Sequence, residues 1–287
     1  MGTPYAEVIG DPIGHSKSPV IHKFWLEKLG FEGDYRATGV APDTLASYLD
    51  RRRTDPDWRG CNVTMPLKQI VVGQLDRLTD EARSIGAVNT VVRDGTMLIG
   101  HNTDAYGFME PIDRSIGREA LVQTDAVIVG AGGAALAVAT ALWQAGCRLR
   151  IANRDRDRAR EVADRVAGKP SFAIGTPSLF QLRELLLGPP GCQPPLFSIL
   201  VNATSLGMRG HSALDVRFDK APAGLIVYDL VYDPVETPLL REAREHGLRT
   251  IDGLQMLVAQ ARQAFRLFFG VAPAGAHDQE LRELLTR

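Results

Sequence analysis

The stretch AVIVGAGGAALAVATALWQAGC at residues 126–147 decides the fold. It carries no charged residue and is long enough to span a bilayer. However, Gly130, Gly132 and Gly133 interrupt it after a short β-prone run, and the remainder is rich in alanine, the strongest helix former. We therefore expect a strand, a tight glycine turn and a buried helix, with a membrane span as the weaker alternative.

The glycine turn has the sequence context of a dinucleotide-binding site. It follows a predicted strand, begins a predicted helix and consists of Gly130, Ala131, Gly132, Gly133 and Ala134. Small residues allow a pyrophosphate to approach the backbone N–H groups at the start of the helix. The alternative is a turn that serves only helix–strand packing. No Lys-Ser or Lys-Thr pair follows at P-loop spacing.

The end of the next predicted strand favours NADP(H) over NAD(H). This strand ends in Asn153 and Arg154, and Arg158 follows shortly afterwards. A guanidinium group binds a 2′-phosphate, whereas a cofactor with a free 2′-hydroxyl usually meets Asp or Glu at this point. The alternative is that these arginines form the solvated face of a helix rich in Arg and Asp. Asp155 and Asp157 nearby also reduce the positive field.

The composition excludes several classes of protein. With 287 residues, 45% hydrophobic and 23% charged, the chain is long and apolar enough to fold as one large or two ordinary domains. Its 33 basic and 34 acidic residues leave no positive excess for nucleic acid. The three cysteines form no CxxC motif and the histidines match no metal-binding spacing, so we expect no metal. No secretory signal is visible, and we expect a cytoplasmic protein.

Strands and helices alternate along the chain, which predicts an α/β fold with parallel sheets. The predicted strands are residues 5–10, 35–40, 61–64, 88–93, 96–100, 126–129, 148–152, 199–202 and 225–230. The principal predicted helices are residues 18–30, 44–53, 104–116, 134–145, 156–166, 178–187, 253–270 and 278–285, with a loop at 188–195. We expect one domain at residues 1–108 with 252–287 and another at 109–251.

Polar residues cluster at the ends of predicted strands in the first half of the chain. They are Ser16, Ser18, Asn62, Thr64, Lys68, Asn89, Thr90, Asn102, Thr103 and Asp104. Open α/β sheets bind ligands at such strand ends. Taken singly, Ser18 and Asp104 have a structural alternative as helix N-caps. Taken together, hydroxyl and amide donors with one ammonium and one carboxylate suit a small polyhydroxylated acid.

The chain resembles the shikimate dehydrogenase family over nearly its whole length. The matching stretches, in the family's order from residue 8 to 261, are VIGDPIGHSKSPVIH, GCNVTMPLK, SIGAVNTVV, GHNTD, VGAGGAA, ANRDRDRAR, VNATSLGM, YDLVYDPVETPLL and DGLQMLVAQA. The resemblance implies an N-terminal open α/β substrate domain, a doubly wound Rossmann-type nucleotide-binding domain and a cleft between them. The chain departs from the family pattern at Ala105-Tyr106, Asp155 and Gln255.

The resemblance also implies roles for individual residues. Lys68 and Asp104 would form the catalytic pair. The substrate carboxylate and ring hydroxyls would meet Ser16, Ser18, Asn62, Thr64, Asn89, Tyr232 and Gln260. Gly130 to Ala134 would hold the NADP(H) pyrophosphate, and Asn153, Arg154 and Arg158 its 2′-phosphate. The nicotinamide side would be lined by Thr204, Ser205, Leu230 and Gly253.

The implied activity is the reversible reduction of 3-dehydroshikimate to shikimate by NADPH. One alternative is a family member that prefers quinate or an amino-shikimate, with NAD. A second alternative is a regulatory homologue that binds the nucleotide without turnover. We expect a small-molecule substrate, no nucleic acid or membrane partner, and a monomer or homodimer.

Overall fold

A computed structural model describes residues 2–167, 173–175, 197–222 and 224–287. The chain divides into two compact units, Met1–Gly107 with Val258–Arg287, and Phe108–Leu257. The predicted helix at 178–187 and the predicted loop at 188–195 lie outside the described residues. Within the described part, no helix combines the length and the apolar character needed to cross a membrane.

The first unit contains a mixed six-stranded sheet in the order β2-β1-β3-β5-β6-β4. Its strands are β1 (Tyr5–Gly10), β2 (Asp34–Gly39), β3 (Trp58–Val63), β4 (Arg77–Leu78), β5 (Thr90–Asp94) and β6 (Met97–His101). Strands β1, β2 and β3 pair in parallel, whereas β5 is antiparallel to both β3 and β6. The sequence Asp94-Gly95 predicts a hairpin turn between residues 88–93 and 96–100, and the structure confirms it: Gly95 adopts φ +62° and the antiparallel strands β5 and β6 pair across this turn.

The helices that begin in the first unit follow its strands. They are α1 (Ser18–Lys28), α2 (Leu45–Arg53), α3 (Leu67–Ile70), α4 (Asp80–Ile85) and α5 (Asp104–Ser115). Both unit boundaries fall within helices, namely α5 and the later helix α9 (Gly253–Phe269). The chain ends in α10 (Asp278–Thr286).

The second unit contains a parallel six-stranded sheet in the order β12-β11-β10-β7-β8-β9. Its strands are β7 (Asp125–Val129), β8 (Arg148–Asn153), β9 (Ala173–Gly175), β10 (Phe197–Asn202), β11 (Ile226–Asp229) and β12 (Arg249–Ile251). The helices are α6 (Gly133–Gln144), α7 (Arg156–Ala167) and α8 (Pro238–Glu245). Numbered within the unit, the strand order is 6-5-4-1-2-3, which is the doubly wound dinucleotide-binding topology. The predicted fold class is confirmed.

The predicted start of α1 as an N-cap at Ser18 is wrong by one residue. Ser18 is the first helical residue, and the preceding Lys17 occupies the N-cap position without a side-chain hydrogen bond. Ser18 therefore does not cap the helix, and its backbone N–H donates to Ser16 Oγ at 3.3 Å. The helix ends at Lys28, two residues before Gly30.

Candidate active site

Lys68 and Asp104 form an ion pair in the first unit. Lys68 lies in α3, a helix of a single turn that follows β3, and Asp104 is the first residue of α5. Lys68 Nζ is 2.5 Å from Asp104 Oδ2, and the two side chains are 18% and 7% exposed. The structure thus brings together the two residues that the family resemblance implies as a catalytic pair, and it leaves the Lys68 side chain partly exposed.

Asn102 leaves the Asp104 side chain available for this pair. Asn102 Oδ1 accepts hydrogen bonds from the backbone N–H groups of Asp104 at 3.0 Å and Ala105 at 3.4 Å. Its Nδ2 donates to Ala87 O at 2.9 Å, which anchors the amide. The alternative that Asp104 itself caps α5 is therefore wrong, because Asn102 supplies the capping oxygen.

Asn89 connects Asp104 to the neighbouring polar residues. Its Nδ2 lies 2.9 Å from both Asp104 Oδ1 and Thr103 Oγ1, and 3.5 Å from Gln260 Oε1. Its Oδ1 accepts from the Thr103 backbone N–H at 2.7 Å and from Thr90 Oγ1 at 3.0 Å. All these side chains are buried. Asn89 and Gln260, both expected at the site, thus share a network with the Lys68–Asp104 pair.

Tyr35 orients Asn62, and sequence reasoning missed it. The Tyr35 hydroxyl donates to Asn62 Oδ1 at 2.6 Å, while Asn62 Nδ2 donates to Thr90 Oγ1 at 3.0 Å. Burial raises the pKa of Tyr35 well above its usual value, so the phenol stays protonated as a donor. His22 stacks on the Tyr35 ring at 3.9 Å, and burial lowers the pKa of His22 to about 3. In the sequence, Tyr35 has only the pattern of a core aromatic residue of β2.

Backbone hydrogen bonds join the segments after β1 and β3, which carry the remaining candidate substrate residues of the first unit. Ser16 and Ser18 follow β1, and Thr64 follows the neighbouring parallel strand β3. Thr64 N–H donates to Ile9 O at 2.9 Å, and Asp11 N–H donates to Met65 O at 3.2 Å. These bonds place hydroxyl groups from both loops at the same edge of the sheet, as expected for adjacent parallel strands.

The glycine turn of the second unit has the shape that a pyrophosphate needs. Gly130 adopts φ +117°, and a Cβ atom there would lie 2.8 Å from Ala203 O. At Gly132, the N-cap of α6, a Cβ atom would meet nothing within 4 Å. The first turn of α6 has no acidic residue and no side-chain cap. The space beside Gly132 is therefore open, and the N–H groups of the first turn and the positive end of the helix dipole fit a phosphate group.

The arginines after β8 do not form an unopposed positive cluster. Asp155 Oδ1 accepts from the backbone N–H groups of Asp157 at 3.0 Å and Arg158 at 3.3 Å, so it caps α7. Its Oδ2 is 3.6 Å from Arg158 Nε. Asn153 Nδ2 donates to Asp155 O at 3.0 Å, and the Arg154 side chain is exposed. Guanidinium groups are present for a 2′-phosphate, but one of them already has a carboxylate partner.

The candidate nicotinamide-side residues lie on loops after β10 and β11 and at the start of α9. Thr204 Oγ1 donates to Asn202 Oδ1 at 2.7 Å, and Ser205 is exposed. A Cβ atom on Gly253 would lie 2.3 Å from Leu230 O, so only glycine permits this close approach. Tyr232, expected to line the substrate pocket, is half-buried in this second unit, and burial raises its pKa.

Comparison with known proteins assigns both units. The profile of the shikimate dehydrogenase substrate binding domain matches residues 8–91, and that of shikimate / quinate 5-dehydrogenase matches residues 114–184. The chain is 48% identical over 286 residues to the NADP(+) shikimate dehydrogenase of Sphingopyxis alaskensis, covering 99% of this chain and 97% of that protein. The chain belongs to the shikimate dehydrogenase family.

Solved structures of the family have the same fold. The shikimate 5-dehydrogenase of Thermus thermophilus, in complex with NADP(H) and shikimate, matches with a TM-score of 0.82 and 37% identity over 98% of this chain and 99% of that one. The quinate dehydrogenase of Corynebacterium glutamicum, in complex with NAD, matches with a TM-score of 0.84 and 31% identity over 98% and 99% of the two chains. The predicted family is confirmed.

Proposed function

We propose that this chain is an NADP-dependent shikimate dehydrogenase that reversibly reduces 3-dehydroshikimate to shikimate. The observation that carries the proposal is the Lys68–Asp104 ion pair, which sets a partly exposed lysine beside a buried carboxylate. Reduction of a ketone develops negative charge on the carbonyl oxygen, and a proton donor must meet it. The curated relatives that carry out this reaction cover nearly the whole chain.

NADPH, when bound, supplies the hydride. Lys68 donates the proton to the carbonyl oxygen during reduction and accepts it back, in its neutral form, during oxidation. Asp104 accepts the Lys68 N–H and fixes its direction, while Asn89 holds the other oxygen of the same carboxylate. A fixed donor direction keeps the ammonium group aligned with the reacting oxygen.

The remaining polar residues bind the substrate. Hydroxyl groups of Ser16, Ser18 and Thr64 are suited to its carboxylate and nearby oxygens. Amide and phenol groups of Asn62, Asn89, Gln260 and Tyr232 are suited to the ring hydroxyls, because amides both donate and accept. Binding of ring hydroxyls by buried amides gives strong discrimination against analogues that lack them.

NADP(H) fits the second unit. The open helix terminus at Gly132 and Gly133 holds the pyrophosphate. Arg154, with Asn153 and Arg158, holds the 2′-phosphate. Thr204, Ser205, Leu230 and Gly253 line the nicotinamide side. A monomer or homodimer and a cytoplasmic location stay predictions.

A second candidate is a quinate dehydrogenase that uses NAD. The Asp155 carboxylate favours this candidate. It lies 3.6 Å from Arg158, so its negative charge would repel a 2′-phosphate bound by that arginine. The structural neighbour from Corynebacterium glutamicum is a quinate dehydrogenase in complex with NAD.

The test is oxidation of shikimate and of quinate, each with NADP and with NAD, followed by the absorbance of the reduced nicotinamide. We expect the highest kcat/KM with shikimate and NADP. A higher kcat/KM with quinate and NAD would establish the second candidate instead. Tight NADPH binding without turnover of either acid would indicate a regulatory homologue.

A further inference from the structure

Asp229, the last residue of β11, is a fully buried carboxylate that the mechanism above does not use. Its Oδ1 accepts hydrogen bonds from Asn202 Nδ2 at 2.9 Å and from the Val231 backbone N–H at 3.0 Å. Its Oδ2 accepts from Thr237 Oγ1 at 2.6 Å. Among the described residues no ion pair includes Asp229, so this carboxylate is held by neutral donors alone.

Each of these partners donates a hydrogen bond to Asp229. The Asn202 amide and the Val231 backbone present N–H groups. The Thr237 hydroxyl accepts from Leu240 N–H at 3.2 Å, as the N-cap of α8, and uses its own proton for Asp229. Oδ1 already accepts two hydrogen bonds, so a proton there would displace a donor. A proton on Oδ2 would weaken the carboxyl group as an acceptor, because hydrogen bonds to a charged oxygen are the stronger ones.

The charged residues nearby in sequence or on the neighbouring strand have other partners. Asp233 lies 3.3 Å from Arg209, and Glu236 lies 2.6 Å from Arg244. Asp252 Oδ1 accepts from Leu254 N–H at 3.1 Å at the start of α9. Burial raises the pKa of Asp229 to about 6, and the hydrogen bonds from Thr237, Val231 and Asn202 oppose the rise.

The Asp229 network connects the segments that carry the candidate nicotinamide-side residues. Asn202 Nδ2 reaches Asp229, while its Oδ1 accepts from Thr204 N–H at 3.1 Å, which fixes the loop after β10. The bond from Val231 N–H fixes the loop after β11, immediately beyond Leu230. The carboxylate thus holds both loops at once.

We propose that Asp229 is a positioning residue for the nicotinamide half of the cofactor site, holding the Thr204 and Leu230 loops in register through its ionised carboxylate. The proposal rests on the proposed function, because that function places the nicotinamide beside these loops. It extends the proposed function by naming a residue that touches neither substrate nor cofactor but sets how tightly the cofactor is held.

The variant Thr237→Val removes one donor to Asp229 while keeping the carboxylate. Two matched controls separate this loss from loss of a helix cap. Thr237→Ser keeps both the donor and the cap. Thr79→Val removes the equivalent cap of α4, where Thr79 Oγ1 accepts from Ala82 N–H at 3.2 Å and has no carboxylate partner among the described residues.

The measurement is the Kd of NADPH, from its fluorescence, with kcat for shikimate oxidation alongside. For Thr237→Val we expect the Kd to rise about tenfold, as for loss of one hydrogen bond to a charged group. Thr237→Ser and Thr79→Val should stay within about twofold of the unmodified protein. An unchanged Kd in Thr237→Val would overturn the proposal.

The pH dependence provides a readout that a merely structural role would not move. Because Thr237 lowers the pKa of Asp229, its loss raises that pKa, and Asp229 becomes protonated at a higher pH. The ratio of NADPH Kd values, Thr237→Val over Thr237→Ser, should therefore grow as the pH falls from about 8 to about 6.5. The 2′-phosphate of NADPH titrates equally in both variants and cancels in the ratio. A ratio that is constant with pH would contradict the proposal.

Asp229→Asn provides a second variant, because it replaces an acceptor by an amide that also donates. We expect the NADPH Kd to rise more than in Thr237→Val, while circular dichroism retains the folded spectrum. Failure of the unmodified protein to oxidise shikimate would reject the proposed function alone. Normal shikimate oxidation with an unchanged NADPH Kd in both variants would reject the role of Asp229 alone.

Discussion

Two buried carboxylates, one in each unit, occupy comparable positions but have opposite surroundings. Asp104 follows β6 and has a cation 2.5 Å away, whereas Asp229 ends β11 and is surrounded by neutral donors. A carboxylate beside an ammonium group can tune and direct a mobile proton. A carboxylate that only accepts from fixed donors serves to hold the elements that carry those donors. On the roles proposed above, the same side chain would support proton transfer in one unit and loop positioning in the other.

The largest expected effect comes from removing the cation that distinguishes Asp104 from Asp229. For Lys68→Ala we expect kcat for shikimate oxidation to fall between about 10²- and 10⁴-fold, the usual contribution of a general acid or base. The shikimate KM should change only a few-fold, because the other polar residues still bind the substrate. The matched control is Lys23→Ala, which removes an exposed lysine paired with Asp34 and should keep normal turnover. Near-normal kcat in Lys68→Ala would refute the assignment.

The pH dependence of folding stability sharpens the comparison at Asp229. Because the pKa of Asp229 is raised in the folded protein, the protonated form is favoured by folding. The stability that the protonated Asp229 contributes is fully present below about pH 4, and it is lost as the pH rises through about 6. Relative to Asp229→Asn, the unfolding free energy of the unmodified protein should fall by about 3 kcal/mol over this range. Urea denaturation of both proteins at several pH values measures this difference in unfolding free energy. A difference that rises with pH would contradict a raised pKa of Asp229 in the folded protein.

Two glycines in the turn after β7 test its packing against Ala203, in the loop after β10 that Asp229 holds. Gly130→Ala places a methyl group against Ala203 O at a positive φ, and we expect a loss of about 2 kcal/mol in unfolding free energy. Gly132→Ala should leave stability nearly unchanged, because the site is open and φ is −94°. It should nevertheless raise the NADPH Kd by filling space proposed for the pyrophosphate. Thermal unfolding and fluorescence titration distinguish the two, and equal stability losses would argue against this packing.

The smallest expected effect concerns an exposed cation, in contrast to Lys68. Arg154→Ala should raise the KM of NADPH about three- to tenfold and leave the KM of NADH nearly unchanged, because only NADPH carries the 2′-phosphate. Steady-state assays with both cofactors provide the comparison. An equal change for both would remove Arg154 from the 2′-phosphate site.

The sequence predicted the alternating elements, the glycine turn and the family, because these depend on local patterns and ordered motifs. It placed Lys68 and Asp104 in one polar cluster from their positions at strand ends. It made them a catalytic pair only through the resemblance, since residues 36 positions apart give no local signal of contact. The structure supplies the physical support, with Asn102 capping α5 so that the Asp104 side chain is available for Lys68.

Long-range polar contacts could not be predicted from the sequence. Tyr35 reaches Asn62 across 27 positions, and Thr237 reaches Asp229 across a loop whose conformation no short motif specifies. The sequence predicts the turn between β5 and β6. It does not predict that β5 pairs with β3 in the antiparallel direction, because the local pattern of residues does not specify which distant strand β5 pairs with.

The most direct test of the central claim is a double-mutant cycle on Lys68 and Asp104, with kcat for shikimate oxidation measured in Lys68→Ala, Asp104→Ala and the double variant. If the two side chains act as one proton-transfer unit, the double variant should be about as slow as Lys68→Ala alone. If the two single losses multiply in the double variant, the residues act independently and the account of the pair is wrong.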